Sequence, residues 1–285
     1  MTLRPQTLIG FILIQLTLFH VSQVYAWDHH SAERTNQKIK FLLSKTKIGQ
    51  KLLKDLEGLG QSAAVSFGEN SKTVTRIQRV FSPNDRSIQY VRKSEIVLNK
   101  NQKLQELLMD FVHELTHTLY RNEQKIIYDP ALTLSEYIRY GIEGRGGEAE
   151  AVQNECNFLF EFDAQKFKSH WCNDFLSKNK KIKKFNRKKL IKAFYKVGPE
   201  SNETEELKNA LDIDILKKIS NAKEYFISSS VQKSYPLALL KEYRTINKKT
   251  CDNNIKLQNM KNISKSENSL HLQEFFERRC LASGN

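Results

Sequence analysis

Residues 101–121 read N-Q-K-L-Q-E-L-L-M-D-F-V-H-E-L-T-H-T-L-Y-R. Apolar residues recur in this stretch every three or four positions from Leu104 to Leu119, which is the spacing of one face of an α-helix. Asn101 is a favourable helix cap, so we predict a helix that starts just after it and runs to Arg121. A helix this apolar must pack against other elements on most of its sides. It therefore sets the centre of the fold.

The same helix carries the pattern His113-Glu114-x-x-His117. Two histidines four positions apart project from one face of a helix and can bind a single cation. Glu114 lies beside them and is free to take a proton from an attacking water. Because polar side chains are costly in an apolar helix unless they have a function, we predict a metal site at His113 and His117 with Glu114 as the catalytic base.

A hydrolytic zinc site has three protein ligands and one open position, so a third ligand is expected further along the chain. Glu123 is a poor candidate, because the longer pattern HExxHxxGxxH has Tyr120 at its glycine position and the chain does not turn back easily without that glycine. Residues 146–152, G-G-E-A-E-A-V, are a better source, since small residues let a helix approach closely. Glu148 and Glu150 point to different sides of such a helix, so only one of them is expected to bind.

The motif helix followed by an E-x-x-A helix resembles the gluzincin-type zinc metallopeptidases of the zincin group. In that pattern the ligand glutamate stands three positions before a small alanine, which matches Glu148 with Ala151. Glu150 stays the rival, because Asn154 follows it by four positions, where many relatives have Asp or Asn. The resemblance covers residues 38–165. It implies a zincin-like catalytic domain, Zn²⁺ as the cofactor, and hydrolysis of peptide bonds in a peptide or protein substrate.

Such a reaction often uses a second electrophile to stabilise the developing oxyanion. Tyr137, Tyr140 and Arg145 lie just before the predicted ligand helix and are the candidates. A tyrosine in such a position is more often a core aromatic residue.

The rest of the chain predicts a predominantly helical α+β fold. Residues 32–58 have apolar positions at helical spacing and favour one or two helices. Residues 63–99 contain four short β-branched or aromatic runs separated by Gly, Asn, Asp and Pro, which predicts a small, mostly antiparallel sheet before the motif helix. From Phe185 onward the sequence is helical and rich in lysine, and the polar residues 246–269 suggest a loop.

The first 26 residues are typical of a secretory signal peptide. They have a basic start, an apolar run over residues 8–21 and small residues before a cleavage site after Ala26. We therefore expect an exported protein, periplasmic or extracellular. After the signal peptide we expect a zincin-like catalytic domain at residues 27–170 and a basic helical extension at residues 171–285.

The chain has four cysteines, an even number that suits disulfide pairing in an oxidising compartment. They permit three connectivities. Proximity in the sequence favours Cys156 with Cys172 and Cys251 with Cys280.

The formal net charge of +14 favours anionic neighbours. Lys178–Lys192 contains nine basic residues and no acidic one, so it can bind an anionic surface or form an ordinary solvated helix. The case for nucleic acid is not strong. The second functional hypothesis is therefore a non-catalytic, basic exported protein that binds an anionic envelope component or partner.

Overall fold

The structure of the protein is a computed structural model. It describes residues 34–58, 64–81, 88–122, 129, 131–177, 185–258 and 276–281. The predicted signal peptide, Glu123 and the part of the basic run at residues 178–184 lie outside the described residues. The described part is predominantly helical and has a three-stranded and a two-stranded sheet, which confirms the predicted α+β class.

The helices lie before and after the larger sheet in the sequence. Their bounds are 34–43 (α1), Lys47–Gly58 (α2), Leu104–Tyr120 (α3), Leu134–Glu143 (α4), Glu148–Phe162 (α5), Ala164–Ser169 (α6), Arg187–Phe194 (α7), Asn202–Asn209 (α8), Ile213–Leu216 (α9) and Tyr235–Gln258 (α10). A 3-10 turn at Trp171–Phe175 and a π-helical turn at Phe276–Leu281 complete the helical part. Two helices precede the sheet, within the predicted range.

The motif helix α3 begins slightly later than predicted. Lys103 occupies its cap position, and the Lys103 backbone N–H donates to Glu106 Oε2 at 3.3 Å. The predicted cap, Asn101, instead belongs to the turn after the sheet, where its backbone N–H donates to Asn99 Oδ1 at 2.9 Å. The local turn therefore delays the helix by two residues.

The larger sheet is formed by β1 (Ala64–Gly68), β2 (Lys72–Phe81) and β3 (Ile88–Asn99), in the spatial order β1-β3-β2. The central strand β3 is antiparallel to β2 and parallel to β1. The last two of the four predicted runs form one strand, since the polar residues between them continue the pairing with β2. Because β3 is the central strand, β2 stands at an edge of the described sheet.

The core of the protein is built around α3. Phe111, Val112 and Leu115 of this helix are fully buried. Helix α5 packs against α3, and Asn154 Nδ2 on α5 donates to Thr116 Oγ1 on α3 at 3.2 Å. The central position expected for the motif helix follows from this packing.

The residues after 170 pack on those before it. Glu143 Oε1, at the end of α4, accepts hydrogen bonds from Tyr195 Oη and Lys218 Nζ, each at 2.6 Å. The Glu143 carbonyl accepts from Arg187 Nη2 at 2.9 Å, so one residue of the basic run has a structural contact. Buried side chains from both parts form one core cluster. The division of the chain at residue 170 stays a prediction.

Helix α10 contradicts the first half of the loop predicted at residues 246–269, because it continues to Gln258, and residues 259–269 lie outside the described residues. Asn247 on this helix is buried, and its Oδ1 accepts a hydrogen bond from Arg279 Nε at 2.8 Å. The polar residues that suggested a loop therefore have tertiary partners.

Both expected disulfides are present, Cys156–Cys172 and Cys251–Cys280. The first joins α5 to the 3-10 turn and the second joins α10 to the π-helical turn. Among the helices that the structure describes, none is long and apolar enough to cross a membrane.

Candidate metal centre

The structure brings His113, His117 and Glu148 together. The two histidine Nε2 atoms are 3.1 Å apart. Glu148 Oε2 lies 3.3 Å from His113 Nε2, and Glu148 Oε1 lies 3.5 Å from His117 Nε2. This arrangement arises because α3 presents the two rings one turn apart and the first residue of α5 lies opposite them. Glu150, the rival ligand, is not in the group, since its Oε2 accepts the Gly146 backbone N–H at 2.7 Å.

The spacing of these atoms fits a metal ion. Three ligands of a tetrahedral zinc ion stand roughly 3.3–3.6 Å apart, given bond lengths near 2.0–2.2 Å. The two Nε2 atoms are 3.1 Å apart, and each lies near a different oxygen of Glu148, at 3.3 and 3.5 Å. With one ligand atom from each residue, the three atoms lie within 4.8 Å of one another. Moreover, Glu148 Oε2 is buried beside the His113 ring, 3.3 Å from its Nε2, and a buried carboxylate is costly unless a cation is near. The group can therefore hold a metal ion.

Each histidine is oriented through its other ring nitrogen. His113 Nδ1 lies 3.2 Å from Glu155 Oε2, and His117 Nδ1 lies 2.7 Å from the Gly146 carbonyl oxygen. Metal-binding histidines usually donate this second N–H to a carboxylate or a backbone carbonyl, which fixes the tautomer and the ring orientation. In the neutral tautomer that carries its proton on Nδ1, each histidine directs its Nε2 lone pair at the common centre.

The electrostatics of the group favour a positive charge between the rings. Burial alone lowers the pKa of His113, but hydrogen bonds with Glu148 and Glu155 outweigh it and raise the pKa well above its usual value. Burial alone raises the pKa of Glu148, yet the charge of His117 and the hydrogen bond from His113 hold it at about 2. Glu148 is thus ionised at neutral pH and available to a cation.

Glu114 lies beside the group without belonging to it. Its carboxylate is nearly buried, with 9% of the residue exposed. Thr73 Oγ1, on the edge strand β2, is 2.8 Å from Glu114 Oε2 and 2.9 Å from the Glu114 carbonyl oxygen. The hydroxyl can donate to either acceptor. Contact with β2 therefore holds the predicted base in place and leaves its other carboxylate oxygen for a substrate or water.

The group opens into a cleft of about 610 Å³. Its lining includes Thr73–Thr75 of β2, residues of α10, and residues 228–231 of the short hairpin formed by β4 (Ile227–Ser228) and β5 (Lys233–Ser234). Tyr235, at the start of α10, also lines the cleft. Burial and the charge of Glu148 raise the pKa of Tyr235 well above its usual value. Its hydroxyl therefore stays protonated next to the metal group.

The electrophiles predicted from the sequence do not line this cleft. Tyr137 is buried in the core with its ring centroid 5.4 Å from that of Tyr243. Tyr140 is on the same helix and is also outside the cleft lining, while Arg145 lies over the Tyr120 ring. These residues precede the ligand helix in sequence, but none of the three is among the residues that line the cleft.

Three residues of the site, Thr73, Glu155 and Tyr235, were missed by the sequence reasoning. Glu155 stands seven positions after Glu148, and this spacing places both carboxylates on one face of α5. Two acids seven positions apart in one helix, in a chain that has two histidines four positions apart in another, are a signal that could have predicted the role of Glu155. Tyr235 gave no such signal, because only the packing of α10 brings it to the site.

No protein-family model matches the chain, and no curated protein or solved structure matches it either. What the fold and the site define is an α+β protein with a His-His-Glu group that can hold a metal ion. The resemblance to the gluzincin-type peptidases rests on the residues of this chain alone.

Proposed function

We propose that the protein is an exported zinc-dependent peptidase. The observation that carries this proposal is the position of Glu114: a fourth side chain, outside the His113-His117-Glu148 group, lies beside it in an open cleft. A purely structural metal site has four protein ligands and no need for a free carboxylate or a cleft.

Zn²⁺ is the ion that this donor set suits best. Two imidazole nitrogens and one carboxylate are typical of catalytic zinc, whereas Mg²⁺ and Ca²⁺ prefer oxygen ligands throughout. When bound by His113, His117 and Glu148, the ion supplies Lewis-acid chemistry, by polarising a carbonyl and lowering the pKa of water.

The residues of the chain supply the proton transfers and the positioning. Glu114 takes a proton from the attacking water and delivers it to the leaving amine, as a general base and then a general acid. Thr73 Oγ1 orients that carboxylate. Tyr235, kept protonated by its raised pKa, can donate a hydrogen bond to the oxyanion that develops on the substrate.

The edge strand supports a peptide as the substrate. Thr73, Val74 and Thr75 of β2 line the cleft, and the opposite edge of β2 is the one that pairs with β3. An extended peptide can add to such an edge through main-chain hydrogen bonds that are independent of its sequence. Peptides bound in this way would pass directly beside Glu114.

Zinc analysis and one isosteric substitution test the proposal. Purified protein should contain about one zinc per chain. Glu114→Gln should keep that zinc and lose cleavage of a mixed peptide library followed by mass spectrometry. Glu57→Gln, a change of the same kind at an exposed position at the end of α2, should keep both. Cleavage that survives in Glu114→Gln would show that Glu114 is not the base.

Export is supported by the two disulfides, which persist in oxidising compartments. Fractionation of cells that make the protein tests this part, and a cytosolic protein with free thiols would contradict it. A protein that takes up no zinc would favour the second hypothesis, a basic exported protein that binds an anionic envelope component.

A further inference from the structure

The part of the cleft lining that α10 supplies carries two lysines for which the described part of the chain shows no ion-pair partner. Lys241, Thr245 and Lys249 of α10 all line the cleft. They are four positions apart, so they form a single row along one face of the helix. Both lysines are exposed, and neither makes an ion pair with a residue that the structure describes.

Two arginines near this row, Arg244 and Arg121, each lie beside an acid. Arg244 is on the same helix but outside the cleft lining, and its Nη2 lies 2.5 Å from Glu206 Oε1. Within the cleft, Arg121 Nη2 lies 3.9 Å from Glu242 Oε1, so Glu242 forms an ion pair with Arg121. The two remaining acids of the lining, Glu114 and Glu148, belong to the proposed catalytic centre. The acids that line the cleft in the described part of the chain therefore do not neutralise the positive charge of the row.

The row has a defined distance from the catalytic centre. Tyr235 marks the end of α10 that lies beside Glu148. An α-helix rises 1.5 Å per residue, so Lys241 and Lys249 stand about 9 and 21 Å further along the helix axis. An extended peptide advances about 3.3 Å per residue. For a peptide that runs along α10, the lysines correspond to substrate positions roughly three and six residues from the scissile bond.

We propose that the cleft selects peptides with an acidic side chain about three residues from the scissile bond, bound by Lys241, and favours a second acid about six residues away, bound by Lys249. This inference rests on the proposed peptidase function and names its substrate class. A lysine or arginine at the same substrate positions would meet the row with like charge. Exposed ion pairs are individually weak, so the row produces a preference among peptides rather than an absolute requirement.

Binding, measured apart from turnover, tests the inference. The probes are fluorescent peptides that are neutral, or carry Glu or Lys three residues before or after a central bond. They are titrated by anisotropy against zinc-loaded Glu114→Gln protein, which cannot consume them, at about 0.15 M salt, where long-range attraction is screened. A Glu-containing peptide is expected to bind about fivefold more tightly than the neutral one.

The decisive comparison is between two charge reversals on α10. Lys241→Glu should abolish the preference for Glu and favour the Lys peptide. Lys248→Glu changes the net charge equally at an exposed position outside the cleft lining, and should leave the preference intact. Equal binding of Glu, neutral and Lys peptides, or equal effects of the two reversals, would overturn the inference.

Cleavage assays on the protein without substitutions distinguish a failure of this inference from a failure of the proposed peptidase function. Cleavage of all peptides without a charge preference would leave the peptidase proposal standing and refute the role of Lys241. Binding that depends on Lys241, with no cleavage of any peptide, would refute the peptidase proposal and keep the acidic-peptide surface.

Discussion

Replacing Gly146 with alanine should damage the metal centre without touching any ligand. Gly146 has a φ of 68°, in the left-handed region that side chains other than glycine disfavour. A Cβ at this position would lie 2.3 Å from the Arg121 backbone nitrogen and 2.6 Å from the Tyr120 carbonyl carbon. The Gly146 carbonyl is also the group that His117 Nδ1 contacts at 2.7 Å. A change in this loop is therefore transmitted to His117.

The size of the effect follows from these contacts. The left-handed conformation costs alanine about 1–2 kcal/mol, and relieving the overlap with rigid backbone requires the loop to withdraw by about 1 Å. We expect the free energy of unfolding to fall by about 2 kcal/mol, which lowers the Tm by roughly 4–8 °C for a chain of this size. Loss of a contact that orients a metal-binding histidine typically weakens metal binding by about 10–100-fold.

Two measurements check this prediction for Gly146→Ala. Differential scanning calorimetry gives the Tm of the metal-free protein, and competition with a chromophoric chelator gives the zinc affinity. Gly58→Ala is the control, since nothing lies within 4 Å of the Cβ it would add. If Gly146→Ala matched the unchanged protein in both Tm and zinc affinity, the proposed coupling between this loop and His117 would be wrong.

Two further substitutions separate metal binding from turnover. Glu155→Gln should weaken zinc binding by about 10–100-fold in the chelator competition, because it removes the charge that holds His113 Nδ1. Glu150→Gln should change the zinc affinity little. A larger loss of zinc affinity in Glu150→Gln than in Glu155→Gln would identify Glu150 as the ligand. Thr73→Val should keep the zinc content but lower kcat by about tenfold in a peptide assay, because Glu114 loses its orienting hydroxyl. Thr75→Val, a matched change in the same wall whose hydroxyl contacts Ser94 Oγ at 3.2 Å, should have little effect, and equal losses in both variants would point to the strand as a whole rather than to Thr73.

Local spacing was enough to predict the motif helix and the two residues it brings to the centre. Four positions on a helix always lie on one face, so His113 and His117 had to be neighbours once the apolar pattern required a helix. The choice of Glu148 over Glu150 came from a resemblance, because both residues begin the same helix. The packing of α5 against α3 decides between them: it places Glu148 next to the two rings, whereas Glu150 accepts a hydrogen bond from the Gly146 backbone.

The strand pattern and the C-terminal region were harder to predict. The sheet contains a parallel pair between β1 and β3, which no local pattern distinguishes from an antiparallel one. Residues 246–258 looked like a loop, because their polar side chains give no helical apolar face strong enough to be read. They are helical because partners distant in sequence, such as Arg279 and Cys280, bind that face.

The sequence by itself determined the class of fold and the presence of two histidines and a glutamate on one apolar helix, since these depend on periodicity and on spacing within one element. It favoured the two observed disulfide pairs among three possible connectivities, and the structure decided between them. Only the tertiary structure decided which acid completes the metal group, which residues orient the histidines, and which strand contacts Glu114. Those features depend on contacts between α3, α5 and α10, which are far apart in the chain. Distances between such elements are set by the packing of the whole core rather than by any local pattern.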